Sequence, residues 1–244
     1  MRNAGQRTAS ETRVEGHIVF TIKICGVTSV KDALMAAAAG ADAVGLNFYP
    51  RSPRRVTLES ARHIAEAVAW RAVKVGVFVN APSREVCETF DTLHLELIQL
   101  HGDEPPEFLA ELGGRPVMRA FRVGPSGLDP VAEYLHQCRR LGCLPRLTLI
   151  DACQGGQYGG TGVVADWRVA EQYTALPDPP PLVLAGGLTP QNVAQAIETV
   201  RPSAVDSASG VEGSPGRKND ALVLRFVKEA KAAFARYAAG PPPA

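Results

Sequence analysis

Residues 182–210, LVLAGGLTPQNVAQAIETVRPSAVDSASG, hold one complete copy of the pattern that organises the chain. Leu182 to Ala185 is an apolar run too short for a helix; it stops at Gly186-Gly187 and reads as a buried strand. Thr189-Pro190 then opens an amphipathic stretch with the signals of a helix start. A second apolar run, Ala204 to Asp206, follows and ends before Ser209-Gly210. Strand, helix and strand at this spacing make a parallel βαβ unit, because parallel neighbours need a crossover of about this length.

Outward from this unit the pattern repeats to both ends of the chain. Strands are predicted at 19–24, 43–47, 73–79, 97–100, 117–121, 147–150, 182–185 and 204–206, with starts roughly 26 residues apart. Helices are predicted near 29–39, 57–70, 83–91, 105–112, 129–141, 166–173, 190–199 and 219–237, with start signals at Thr57 and Ser83 as well as Thr189. Consecutive βα units with no strand-only or helix-only block predict one closed (β/α)8 barrel of the TIM type over 18–238, rather than an open doubly wound sheet. Pro177 to Pro181 lies between a helix and the next strand and reads as a loop, not a linker. Residues 1–17 have no apolar period and are expected to be an extension outside the fold; 239–244 are a Pro-rich tail.

Composition narrows the function. A hydrophobic share of 45% against 21% charged residues supports a full core, and 26 basic against 25 acidic residues leave a net charge of +1. That balance excludes binding to nucleic acid or membrane through bulk charge, so any ligand is held locally. The longest uncharged apolar stretch, Ala33 to Ala41, is about half of what a membrane helix requires, and the N-terminus lacks the apolar centre of a signal peptide. A cytoplasmic protein is expected, with a monomer favoured over a homodimer. The cysteines at 25, 87, 138, 143 and 153 form no CxxC pair and are read as free thiols.

In a barrel of this kind the chemistry sits at the C-terminal strand ends. Cys25 ends the first strand, and Lys23, two residues earlier, shares its face; a neighbouring ammonium favours the thiolate and offers a base near neutral pH. A small buried cysteine packing a strand end is the alternative. Asp151 ends the sixth strand beneath the Gly-rich stretch Gln154 to Gly162, where desolvation would keep a carboxyl protonated as a general acid; a loop cap is the alternative. Gly186, Gly187, Ser209 and Gly210 follow strands seven and eight, where exposed backbone N–H groups hold phosphate in such barrels, although tight turns alone use the same residues. Arg54 offers a planar fork for a carboxylate, against the reading of a solvated loop arginine. Asp206 could accept hydrogen bonds from a sugar hydroxyl, and His101, at strand spacing from Gln99, is either an inward ligand-binding group or a satisfied core histidine.

The strings KICG, DALMAAAAGADAVGLNFYPRSPR, VGVFVN, LIQLHGDE, LIDA, YGGTG, LAGGLTPQNV and SGVEGSPGRKND occur together and in order. Over about residues 19–237 the chain closely resembles the phosphoribosylanthranilate isomerase family. The resemblance implies a (β/α)8 barrel that isomerises N-(5′-phosphoribosyl)anthranilate to 1-(2-carboxyphenylamino)-1-deoxyribulose 5-phosphate, an Amadori rearrangement in tryptophan biosynthesis. It implies no metal and no organic cofactor, a phosphorylated small molecule as partner, Cys25 as general base and Asp151 as general acid. It also implies Arg54 facing the anthranilate carboxylate, Asp206 near the sugar and amine, and phosphate on Gly186, Gly187, Ser209 and Gly210. The chain departs from the family's usual Val and Ser after the strand-eight Asp, having Ser207 and Ala208 instead. Competing expectations are a ribulose-phosphate epimerase or indole-glycerol-phosphate synthase, which would want metal ligands or a lysine and glutamate set, and an idle barrel that only binds a phosphorylated metabolite.

Overall fold

The computed structural model describes residues 20–123, 127–152 and 167–239, with the short strands Arg13–Val14 and His17–Ile18. The barrel strands are β1 (Ile22–Cys25), β2 (Ala43–Asn47), β3 (Val73–Phe78), β4 (Leu97–Leu100), β5 (Val117–Arg122), β6 (Leu147–Asp151), β7 (Leu182–Ala185) and β8 (Ala204–Ser207). All pair in parallel with their sequence neighbours, and β8 returns to β1 with Val205 opposite Ile22 and Asp206 opposite Lys23. The sheet is therefore closed and has no free edge.

The helices between the strands are α1 (Val30–Ala39), α2 (Leu58–Val68), α3 (Ser83–Thr92), α4 (Pro106–Glu111), α5 (Asp129–Arg140), α6 (Arg168–Glu171) and α7 (Val193–Val200); α8 (Asp220–Ala239) follows the last strand. Ser29 and Thr57 cap α1 and α2 by accepting from the backbone N–H of Asp32 and Ser60. The first strand begins at Ile22 rather than 19, and the sixth and seventh helices also differ from the sequence expectation. The sixth helix shrinks to α6 and continues as a 3-10 turn, Gln172–Ala175. The seventh begins at Val193 rather than 190, because the Asn192 side chain accepts from Thr189 N at 2.7 Å and donates to Gly187 O at 2.9 Å. Those bonds fold 187–192 into a turn that ties the helix to the glycine loop, so Pro190 sits ahead of the helix.

Strand alternation divides the core in two. Ala43, Val75, Leu97, Met118, Leu149, Val183 and Ala204 fill the barrel interior, closed at its N-terminal end by Phe20. Their strand neighbours, among them Ile24, Leu46, Ile150 and Val205, point outward and pack against residues of the helices such as Ile64, Ile197 and Phe226. Burying each of the larger side chains is worth ~1.5–3 kcal/mol, which makes a register slip, exchanging the two sets, prohibitive. The same alternation carries inward positions up to the C-terminal end, where Cys25, Asn47, Gln99, Asp151 and Asp206 continue the interior rows.

Arg13–Val14 and His17–Ile18 pair antiparallel with each other, apart from the barrel. A second small antiparallel pair, Glu212–Ser214 with Arg217–Lys218, lies between β8 and α8. Helix α8 ends at Ala239, one residue into the stretch read as tail. No described helix is long and apolar enough to cross a membrane.

Candidate active site

At the C-terminal mouth of the barrel one cavity is lined by all of the residues singled out in the sequence: Cys25, Arg54, His101, Asp151, Gly186, Gly187, Asp206, Ser209 and Gly210. A wider hollow at the opposite end, lined by Arg115, Arg139 and Arg146 among others, holds none of them. Cys153 and the Gln154 to Gly162 stretch lie outside the described residues.

Beneath the cavity, behind Cys25 and Asp206, Lys23 is fully buried and its ammonium donates to Asp206 Oδ2 at 2.9 Å. Burial alone pushes the Lys23 pKa down, but Asp206 and the Cys25 sulfur outweigh it and leave the value above that of an ordinary lysine. Asp206 Oδ1 is buried with no hydrogen-bond partner among the described residues. Cys25 is 9% exposed. Burial raises its thiol pKa, Lys23 opposes this and Asp206 adds to it, so the net shift is upward. The pull of Lys23 on the thiolate, expected from the sequence, is therefore present but outweighed, chiefly by burial. Room for Cys25 comes from Gly45 beside it on β2: a Cβ there would lie 2.8 Å from Sγ and 3.1 Å from Lys23 Nζ.

Across the mouth, Asp151 Oδ2 lies 3.4 Å from His101 Nε2, and Gln99 Nε2 lies 3.2 Å from His101 Nδ1. The carbonyls around His101 are each held by an arginine of β5: Arg119 donates to Leu100 O and Gly102 O, and Arg122 to His101 O. Gln99, Arg119 and Arg122 thus fix a histidine read from the sequence only as inward or buried.

The loops after β7 and β8 close on each other. A Cβ on Gly210 would stand 1.9 Å from Leu188 O, so only glycine allows this approach. Ser207 Oγ donates to the same Leu188 O at 2.7 Å. The residue that departs from the family pattern therefore ties the two glycine loops together.

Arg54 is the one buried arginine of its loop, while Arg51 and Arg55 are exposed. Asn47 Oδ1 accepts from Tyr49 N and Ser52 Oγ from Arg54 N, turning the chain back over the cavity. Its guanidinium donates from Nε and Nη2 to the two carboxylate oxygens of Glu212, at 2.8 and 2.7 Å. Lys218 Nζ donates to Glu212 Oε1 and to Ala208 O, each at 2.9 Å. Glu212 and Lys218 escaped the sequence reading because they lie past the last strand, although both fall within the SGVEGSPGRKND string. Among the described residues no cluster of three or more His, Cys, Asp or Glu is arranged to hold a metal ion.

The family described as N-(5′-phosphoribosyl)anthranilate (PRA) isomerase matches residues 22–229. A relative from Geobacter sulfurreducens named N-(5′-phosphoribosyl)anthranilate isomerase is 46% identical over 211 residues, 86% of this chain and 98% of its own length. One of the same name from Pseudomonas aeruginosa is 47% identical over 206 residues, 84% of this chain and 92% of its own. Phosphoribosyl anthranilate isomerase from Thermotoga maritima superposes with a TM-score of 0.78 at 37% identity, covering 88% of this chain and all of that one. A structure of such an isomerase in complex with reduced 1-(o-carboxyphenylamino)-1-deoxyribulose 5-phosphate aligns with a TM-score of 0.75 at 35% identity, over 88% of this chain and all of that one. Fold and sequence agree: the chain is an isomerase and belongs to the N-(5′-phosphoribosyl)anthranilate isomerase family.

Proposed function

We propose that the chain converts N-(5′-phosphoribosyl)anthranilate to 1-(2-carboxyphenylamino)-1-deoxyribulose 5-phosphate, the third step of tryptophan biosynthesis from chorismate, in the cytoplasm. The observation that carries this reading is the meeting of Cys25, Asp151 and the two glycine loops in one cavity. The loops after β7 and β8 bind the substrate phosphate through backbone N–H groups of Gly186, Gly187, Ser209 and Gly210. Arg54 faces the anthranilate carboxylate, and Asp206 and His101 contact the sugar end. Fixing both ends of the substrate lets remote binding energy align the reacting carbons.

Asp151 gives a proton to the furanose ring oxygen, the C1′–O bond breaks, and the open chain is a Schiff base whose cationic nitrogen acidifies the C2′ hydrogen. Cys25, as thiolate, takes that proton to form the enolamine. The enolamine gains a proton at C1′ and loses one from the 2′-oxygen as the ketone forms, so no atom or electron is exchanged with a cofactor. The working state is the one in which Cys25 has given up its proton and Asp151 holds one.

The test is chromatography of the product after generating the substrate in place. Wild type is expected to form the ketose 5-phosphate. Cys25→Ala and Asp151→Asn should each form it about 10³-fold more slowly or worse, the usual scale for lost acid–base groups, while still binding the reduced product analogue. Near-normal formation by either variant overturns that residue's role, and no product from folded wild type overturns the function.

A further inference from the structure

Glu212 belongs to none of the roles above, yet it binds Arg54 through both carboxylate oxygens and is itself held by Lys218. Its side chain is 5% exposed, and it sits directly after the 3-10 turn Ser209–Val211 that carries the β8 glycine loop. Lys218 ties the same segment down a second time through Ala208 O. The pair thus bridges the phosphate loop after β8 and the loop after β2, the two strands that flank β1. Arg54 spends Nε and Nη2 on Glu212 and keeps Nη1 without a hydrogen-bond partner among the described residues, although Arg54 lines the cavity. A side-on pair of this kind fixes the plane of a guanidinium and leaves its far edge for a second planar anion.

We infer that Glu212 is a positioning residue that sets the orientation in which Arg54 receives the carboxylate of the substrate's aromatic ring, and so determines selectivity for a ring bearing that group. The inference rests on the reading of Arg54 as the carboxylate receptor. It makes the segment after β8 serve both ends of the ligand: its backbone takes the phosphate and its first acidic side chain aims the arginine at the other end. Without Glu212, Arg54 keeps its charge but loses its fixed plane, so carboxylate recognition fails while phosphate binding does not.

The experiment is calorimetric titration of wild type and Glu212→Gln with three compounds: the reduced product analogue, the same compound lacking the ring carboxylate, and ribose 5-phosphate. Wild type should prefer the carboxylated compound by about tenfold or more, one good charged contact. In Glu212→Gln that preference should fall to about twofold or less, with ribose 5-phosphate bound as in wild type. Glu212→Asp, which keeps the charge but shortens the reach, should fall between them and replaces Glu212→Gln if the latter does not fold. A variant that keeps the wild-type preference overturns the inference. So does an equal loss for all three compounds, which would mean that Glu212 only supports the loop. Equal binding of the two analogues by wild type would overturn the Arg54 reading itself, and the inference with it.

Discussion

Cys25 shows how much of a site one residue's neighbours decide. Its end-of-strand place and its shared face with Lys23 follow from local spacing alone. Its electrostatics do not, because Asp206, which engages Lys23, is 183 residues away in sequence and only barrel closure joins them. Burial then dominates and raises the thiol pKa above the ordinary 9.0. Since only the thiolate is alkylated, site-resolved labelling of Cys25 by iodoacetamide should be slow at neutral pH and rise about tenfold per pH unit, with no levelling below pH 9.0, the ordinary value. A plateau reached by pH 8 would show that Lys23, not burial, controls the sulfur.

Strand and helix order was legible because the apolar period is local, and strand alternation placed the inward residues at the mouth. Helix α7 was misplaced at its start because Asn192 and Thr189 bond to the loop rather than to the helix, a choice that depends on where Gly187 lies in space. The identity of β2 as a strand was readable; the need for glycine within it was not. Gly45 lies opposite Cys25, and a methyl there would press on the sulfur and the Lys23 ammonium. Gly45→Ala should therefore cost about 1–3 kcal/mol of stability, as overpacking does, and should remove most turnover while the barrel persists. Wild-type turnover in that variant would mean that Cys25 has freedom the packed floor denies it.

At the scale of the whole molecule, closure brings the β8 end back to the β1 and β2 ends, so Glu212 meets Arg54 across 158 residues. No local pattern announces such a contact; Arg54 was legible as a fork for a carboxylate, but Glu212 was visible only as a member of the SGVEGSPGRKND string. It also predicts an acid response. Burial raises the Glu212 pKa, but Arg54 and Lys218 outweigh this and hold it below the ordinary 4.5. A carboxyl lowered on folding adds stability that is present above its unfolded value and is lost as pH falls through the folded one. Melting of wild type should therefore exceed that of Glu212→Gln at pH 7 by several degrees, equivalent to ~1–3 kcal/mol. The gap should close as the pH drops below 4.5, where Glu212 begins to carry a proton in the unfolded chain. A gap that persists unchanged in acid would mean that shape, not charge, sets the contribution of Glu212.

The most direct test of the whole account is the decay of phosphoribosylanthranilate fluorescence on adding purified protein, with the product drawn off by the next enzyme of the pathway. Wild type should accelerate the decay far beyond the uncatalysed rate, and Cys25→Ala at equal concentration should leave it at that rate. Acceleration by Cys25→Ala comparable to wild type, or none by folded wild type, would contradict the assignment of this cavity as a base-catalysed isomerase site.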